Sequence, residues 1–539
     1  MGLEMMVAMG ISLVGAGPAV YNVADFGAQG QETVADTAAF GEAVKACVAA
    51  GGGTVYVPPG RYTLGRVTLG GRVTLHLEAG AEIHPSTDPA HFPPLEGSAE
   101  SAYKPAYGDN AINCRYAVFY ALGARDVTLE GRGCIVGDGK SFWDVKNTGD
   151  FAKWNMVAPW FYYGARPFRP IIVMLEECDN ALVRDLRMVD ASCYTGWFAG
   201  CRDLRIQNIT VLNDLAGPNT DGFHFSSCRN VHVSDCDFVC GDDCIAIDPN
   251  HHGPSAGFVV RGCTFRTSVN VFRIYTGLDP GLAPDRPRGG VSDIAASNCA
   301  VVDASGVFNV TADGGDIRRL SFNNFAINMD QQGSAFFLLT LGGGSIRDVA
   351  LGEMTIRTDG VGTISGEGGP VSGVALSNLQ YDVCPRTKAY GNALPEPVPG
   401  YGIHHFAPYN LNVRHARDLR LSGVRIDWGE ADLGDLAQVP GGTPHWPAVE
   451  CRDVEGLDVD GLVCRQFGEK APAVSLTDVR DATLSRCRAR AGCGTFVSLA
   501  GTCANIALVE SDLTKAAQPS QLADGVPAEA LVEDGNRVR

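Results

Sequence analysis

The sequence predicts an all-β fold, a solenoid of stacked parallel β-coils with a helix capping its N-terminal end. A short polar-apolar-x-apolar unit recurs along most of the chain, at Asn180-Ala181-Leu182-Val183, Asp203-Leu204-Arg205-Ile206, Asn230-Val231-His232-Val233, Gly257-Phe258-Val259-Val260, Asp293-Ile294-Ala295-Ala296 and Arg319-Leu320-Ser321-Phe322. It continues at Asp348-Val349, Gly373-Val374, Asp418-Leu419, Gly456-Leu457, Asp481-Ala482 and Asn505-Ile506. Leu204, Val231 and Phe258 follow Ala181 at steps of 23, 27 and 27 residues, one coil per step. Each unit alternates apolar and polar residues and is then broken by Gly, Asn or Asp, the pattern of a strand with one face buried. The composition agrees: 66 Gly in 539 residues, with 19% charged residues, is richer in glycine and poorer in charge than helical bundles or disordered chains.

The elements follow in order. Met5 to Val20 is mostly apolar and ends in small residues, with Glu4 where a basic residue would stand, so residues 1–20 read as an atypical leader or a first strand. Tyr21-Asn22-Val23 is a strand. Asp36-Thr37 is placed to cap a helix through Val44 and Ala46, which Gly51-Gly52-Gly53 stops before the strand Thr54 to Val57. Pro58-Pro59-Gly60 turns the chain into strands at Tyr62 to Leu69 and Val73 to Leu77. Because a single coil cannot bury its inward face alone, residues 21–515 form one continuous solenoid. Longer steps at 135–168, 277–290, 384–415 and 428–448 are insertions that wall a groove, and 516–539 reads as a polar, acidic tail or small cap.

The net charge of −18 and pI near 5.0 repel polyanions, which excludes nucleic acid as a partner, and no apolar run is long enough for a membrane span. Eighteen Cys are too few for a disulfide scaffold of this length. Cys236, Cys263 and Cys299 recur at one place in successive units, as stacked buried thiols would. Cys228, Cys236, Cys240 and Cys244 lack the paired spacing of a zinc site, and no metal or cofactor is expected.

Two consecutive coils carry Asn219-Thr220-Asp221-Gly222 and Gly241-Asp242-Asp243. Asp221 and Asp242 lie 21 residues apart, close to one coil, so stacking brings three carboxylates together. Crowded carboxylates repel, which raises at least one pKa and leaves a proton-bearing acid beside ionised bases. Acetal hydrolysis needs that pairing: an acid for the leaving oxygen and a base for the attacking water. A turn-capping ladder or a Ca²⁺ site would also cluster carboxylates, but Asp-Asp occurs only at this point among a dozen repeats.

These motifs, with Gly-Asp-Asp-Cys-Ile-Ala-Ile running on from Gly241 and Arg169-Pro170 ahead of them, resemble the polygalacturonase-type glycoside hydrolases of family 28. Those are right-handed parallel β-helices. Val23-Ala24-Asp25-Phe26-Gly27-Ala28, Asp36-Thr37-Ala38 and Val55-Tyr56-Val57-Pro58-Pro59-Gly60 resemble the opening of the same family and of other pectin-active β-helices. The resemblance implies an inverting, single-displacement hydrolysis in which Asp242 is the proton donor and Asp221 and Asp243 activate water. Its substrate would be a pectin-type or related polysaccharide or oligosaccharide, and its location secreted or periplasmic. A polysaccharide lyase on the same fold, or a non-catalytic carbohydrate-binding β-helix, are the competing readings.

The chain also departs from the family. Gly-His-Gly, usual one coil after the Asp pair, is absent, and His251-His252-Gly253 comes too soon and reads as an exposed turn. Arg273-Ile274-Tyr275 superficially matches the family's Arg-Ile-Lys, but coil counting puts it one coil early and leaves Phe308-Asn309-Val310 in the expected slot, so the expected enzyme is not a standard polygalacturonase acting on plain galacturonan. Asn219, His224, Arg273 and Tyr275 are therefore the expected substrate-binding residues, with Arg273 facing the cleft in place of the missing histidine. Residues 261–290 hold five Arg against two Asp, and bidentate arginine contacts would suit an acidic sugar. Trp160, Trp197 and Tyr275 are candidates to stack on a sugar ring, with ordinary packing the better expectation for each. Insertions that close one end of the groove would favour removal of terminal residues.

Overall fold

The structure, a computed structural model, describes residues 19–32, 35–93, 116–145, 163–250, 253–277, 289–330, 333–385, 409–431 and 445–538. Among them one 39-stranded sheet winds from Val20–Asn22 to Leu531–Asp534, each strand pairing in parallel with its counterpart one coil away. The architecture is a right-handed parallel β-helix. No helix among the described residues is long and apolar enough to cross a membrane.

The repeat has a backbone cause. The polar residue opening nearly every unit sits in the left-handed region: Asn180 (φ 54°), Asp203 (55°), Asn230 (55°), Asp293 (62°), Arg319 (57°), Asp348 (59°), Asp418 (53°), Asp481 (55°) and Asn505 (57°). Asn and Asp tolerate this conformation best among residues with a side chain. Stacked coils then let neighbouring side chains bond: Asn505 Nδ2 donates to Asp481 Oδ1 at 2.9 Å, and the Arg319 guanidinium to both oxygens of Asp293 at 2.6 and 2.8 Å. Inward positions stack like on like. Phe198 lies over Phe225 (centroids 5.3 Å apart), Phe238 over Phe265 (5.3 Å) and Phe272 over Phe308 (5.9 Å), all buried. Cys263 bridges Cys236 and Cys299 in one buried column of free thiols, as the spacing predicts.

The helix Asp36–Ala49 buries Phe40, Ala43, Val44 and Cys47 against the first strands and covers the open end of the solenoid. Its two expected capping residues do other work. The residue at the cap is Ala35; Asp36 Oδ1 accepts from the Gln29 backbone N–H at 2.7 Å and Thr37 Oγ1 from that of Gly65 at 2.8 Å, tying the helix to the loop before it and to the sheet. At the other end, Ala516–Leu522 pairs with Cys493–Ala500 and Leu531–Asp534 with Ala504–Val509, so the segment expected as a tail or cap continues the solenoid as further rungs. Its polar outer residues reflect a terminal coil that faces solvent.

The described part of the 135–168 insertion carries a short antiparallel ribbon, Trp143–Val145 with Tyr163–Ala165, apart from the main sheet. Trp143 Nε1 donates to the Ser192 carbonyl at 2.8 Å, and Lys140 pairs with Asp214 at 3.2 Å, so the ribbon is fastened beside the turn that carries Asn219. The cores of the insertions at 277–290, 384–415 and 428–448, the leader reading of residues 1–18, His251-His252 and Trp160 lie outside the described residues.

Candidate active site

Three consecutive coils build the site. Phe223, Ile245 and Phe272 are aligned across the strands Phe223–Ser226, Ile245–Asp248 and Asn270–Thr276. Two residues before each stands a polar side chain: Asp221, Asp243 and Asn270. Backbone bonds fix this column, with Gly222 N–H donating to the Asp243 carbonyl (2.9 Å) and Cys244 N–H to the Asn270 carbonyl (2.9 Å). Asp242, one residue earlier, lies beside Thr220 of the preceding turn. The turns are tight: a β-carbon on Gly222 would lie 2.3 Å from the Cys244 carbonyl oxygen, and one on Gly241 2.4 Å from Thr220 Oγ1. Gly222→Ala is therefore expected to push the two acidic turns apart, costing about 1–3 kcal/mol of stability as overpacking does. Its thermal midpoint should fall together with any turnover.

Asp221 and Asp243 are almost wholly buried, and Asp242 is partly so. Burial first, then the charges of Asp242 and Asp243, hold the Asp221 carboxyl well above the ordinary carboxylate range, and its Oδ1 has no hydrogen-bond partner. Burial and the Asp243 charge push Asp242 up to about 7. Arg273 and hydrogen bonds from the Asp243 N–H (3.0 Å) and Asn219 Nδ2 (3.5 Å) restrain that rise. Asp243 is held differently: Oδ1 accepts from Asn270 Nδ2 at 2.6 Å, and Oδ2 faces Arg273 Nη1 at 3.6 Å. The cluster thus combines carboxyls driven to keep a proton with one supplied with donors, the division acid–base chemistry requires.

Asn219 (φ 55°) is positioned from below by Arg169, a buried guanidinium that donates to the Pro218 carbonyl (2.8 Å) and to Asn219 Oδ1 (3.3 Å). That leaves the Asn219 amide N–H₂ to face Asp242. Arg273 lies over the Tyr275 ring at 4.7 Å, which steadies a partly exposed cation at the mouth of the site. His224 shares the outward row of Ala246 and Arg273. Its Nε2 bonds Asp248 Oδ2 at 2.5 Å, its ring lies 4.8 Å from that of Tyr194, and its Nδ1 is buried without a partner.

All seven residues singled out from sequence, Asn219, Asp221, His224, Asp242, Asp243, Arg273 and Tyr275, fall on these adjoining turns and strands. Coil counting holds: Arg273 is on the strand next to the Asp pair, and Asn309 occupies the rung beyond. The rest of the arginine-rich stretch does not join them, since Arg261 and Arg266 are exposed on strands of other faces, and 286 and 288 lie outside the described residues. Trp197 is 1% exposed, with Nε1 donating to Ser226 Oγ, so it packs and has no face for a sugar. Sequence reasoning missed Asn270 and Asp248. Asn270 was findable, since it follows Asp243 by 27 residues, a step the repeat uses twice.

Three neighbouring carboxylates, two of them buried, thus stand on adjoining turns of a parallel β-helix. Residues 54–305, which contain the whole site, match the model for glycosyl hydrolases family 28, and over this region the chain is similar to that family. Among its relatives are a probable polygalacturonase of Vitis vinifera, 25% identical over 295 residues, and an exopolygalacturonase of Platanus acerifolia, 25% identical over 305. The first match covers 52% of this chain and 55% of the Vitis protein, the second 51% and 70%. The chain thus spans only about half the length of the first of these. The exopolygalacturonase of Thermotoga maritima has a similar fold, with a TM-score of 0.57 and 19% identity over 76% of this chain and 92% of that one.

Proposed function

We propose that this chain is an inverting glycoside hydrolase that removes residues from the end of a pectin-type polysaccharide or oligosaccharide. The observation that carries the reading is the division of labour within the carboxylates: Asp242 held at about 7 beside an Asp243 supplied with two donors. Asp242 protonates the leaving glycosidic oxygen, and Asp243 receives the proton of the attacking water, with Asp221, which keeps its own proton, helping to hold that water. Asn219, His224, Arg273 and Tyr275 line the substrate site, Arg273 presenting a guanidinium suited to a sugar carboxylate. The match to the family 28 model supports hydrolysis, and two of the similar proteins bear the name exopolygalacturonase.

Terminal attack has physical support in the sheet itself. Tyr120, Met174 and Trp197 are aligned on its outward face, on the coils before the site, where an open groove would leave them solvated. They are instead buried, at most 3% exposed, in a second apolar cluster with Ala117, Ile171, Cys193 and Tyr194. The burial continues through His224 and Ala246 on the same row, and Arg273 is its first partly exposed side chain, an opening that suits a chain end. Early products from polygalacturonate or a related pectin should therefore be one short sugar, released first as the inverted anomer in an NMR time course. Early mixed-length oligomers would overturn the exo reading, and a retained anomer the mechanism. A polymeric substrate is met outside the cytoplasm, so the proposal carries a secreted or periplasmic location.

A further inference from the structure

We propose that Asn270 is a positioning residue for the reaction, which aims the Asp243 carboxylate and supplies its principal hydrogen bond. The inference rests on the reading above, that Asp243 receives the proton of the attacking water. Asn270 is 0% exposed and stands one rung beyond Asp243, in the same column as Asp221. Its Nδ2 reaches Asp243 Oδ1 at 2.6 Å, while its own carbonyl oxygen fixes the Asp243 turn from behind by accepting the Cys244 N–H at 2.9 Å. Each Asp243 oxygen thereby faces one donor, Oδ1 the amide and Oδ2 the Arg273 guanidinium.

The side chain at this point must donate without adding charge. A third carboxylate in the column would repel Asp243, and a second cation beside it, added to Arg273, would further weaken the negative charge that keeps a proton on Asp242. An amide does neither. The column is not an asparagine ladder of the kind seen at the coil turns: its next rungs are Gly306, Ser334 and Gly360. The Asn270 side-chain oxygen is buried without a partner, so packing alone does not account for an amide there. The other charged or titratable groups around Asp243 are Asp221 on the preceding turn, Asp242 on its own turn, the Arg273 guanidinium and the buried Cys240 thiol.

The test compares wild type, Asn270→Ala and Asn270→Asp by kcat, KM and pH profile on the released-sugar assay. It is paired with a substrate-free titration of the carboxyl carbons in ¹³C-Asp-labelled protein, Asp243 being assigned by its loss in Asp243→Asn. Expected is a kcat lowered about 10–100-fold with KM nearly unchanged. The acidic limb of the profile and the Asp243 titration should both move to higher pH, further in Asn270→Asp than in Asn270→Ala. Asn270→Asp has the native shape and decides the matter if the alanine variant does not fold. An unmoved Asp243 titration, or a loss confined to KM or to thermal stability, would overturn the proposal. A wild type that cleaves no glycan would sink the hydrolase reading, whereas the titration still reports whether Asn270 governs Asp243.

Discussion

Asp242→Asn is expected to lower kcat by about 10²–10⁴-fold, the range a positioned general acid contributes, with little change in KM. The substitution keeps the size of the side chain and its acceptor for the Asp243 N–H, and removes only the transferable proton. Wild-type activity should fall as pH rises through about 7, where Asp242 loses that proton. The position of this alkaline limb is itself informative. Part of the rise comes from the Asp243 charge, so in Asp243→Asn any residual activity should lose its alkaline side at lower pH than wild type does. Release of reducing ends across pH 4–9, for wild type and both variants, measures each of these. Full turnover in Asp242→Asn would remove Asp242 from the acid's role.

The parts of this site that were legible in sequence are those that repeat. A coil step near 21–27 residues places Asp221 beside the Asp242-Asp243 pair, and the same arithmetic puts Arg273 one rung on and Asn309 a rung further, as the register shows. The polar residue that opens each unit marks a left-handed turn, a local requirement written directly in residue type. What was hidden depends on which neighbour a side chain chooses. Asp36 and Thr37 have the chemistry of a helix cap, yet they are the first two helical residues, with Ala35 at the cap, and bond to Gln29 and Gly65. His224 bonds Asp248, 24 residues on, because both lie on outward rows of adjacent rungs. Asn270 was obscured by composition, one amide in a chain full of turn asparagines, and its role shows only when the column is followed rung by rung. Burial of Trp197, Met174 and Tyr120 on an outward face, in a cluster with Ile171, Cys193 and Tyr194, is likewise something periodicity does not report.

The same carboxylates should weaken the fold, and removing one should strengthen it. The Asp221 carboxyl is held well above its unfolded value of about 3.9 by burial and by its acidic neighbours. Below pH 4 both folded and unfolded chains carry its proton and no penalty arises. As pH rises, the unfolded chain releases the proton while the folded chain must keep it, or ionise against Asp242 and Asp243, so stability declines until the folded pKa is passed. Asp242 adds the same trend over a window from about 4 to about 7. Keeping a proton one pH unit beyond the point where the unfolded chain gives it up costs about 1.4 kcal/mol, so the joint cost at pH 7–8 is on the order of a few kcal/mol. Asp221→Asn sheds its share without losing a strut. The bonds that hold this turn, from Thr195 N–H (3.0 Å) and Thr195 Oγ1 (2.8 Å), go to the Asp221 backbone carbonyl, and Oδ1 has no partner. Asp221→Asn should therefore melt a few degrees above wild type at pH 7–8, match it near pH 4, and have lost its turnover. A carboxylate kept for structure would show the reverse, a lower midpoint at neutral pH, and calorimetric scans at pH 4 and 7.5 distinguish the two. Stability gained where activity is lost is what a cluster selected for proton transfer should display.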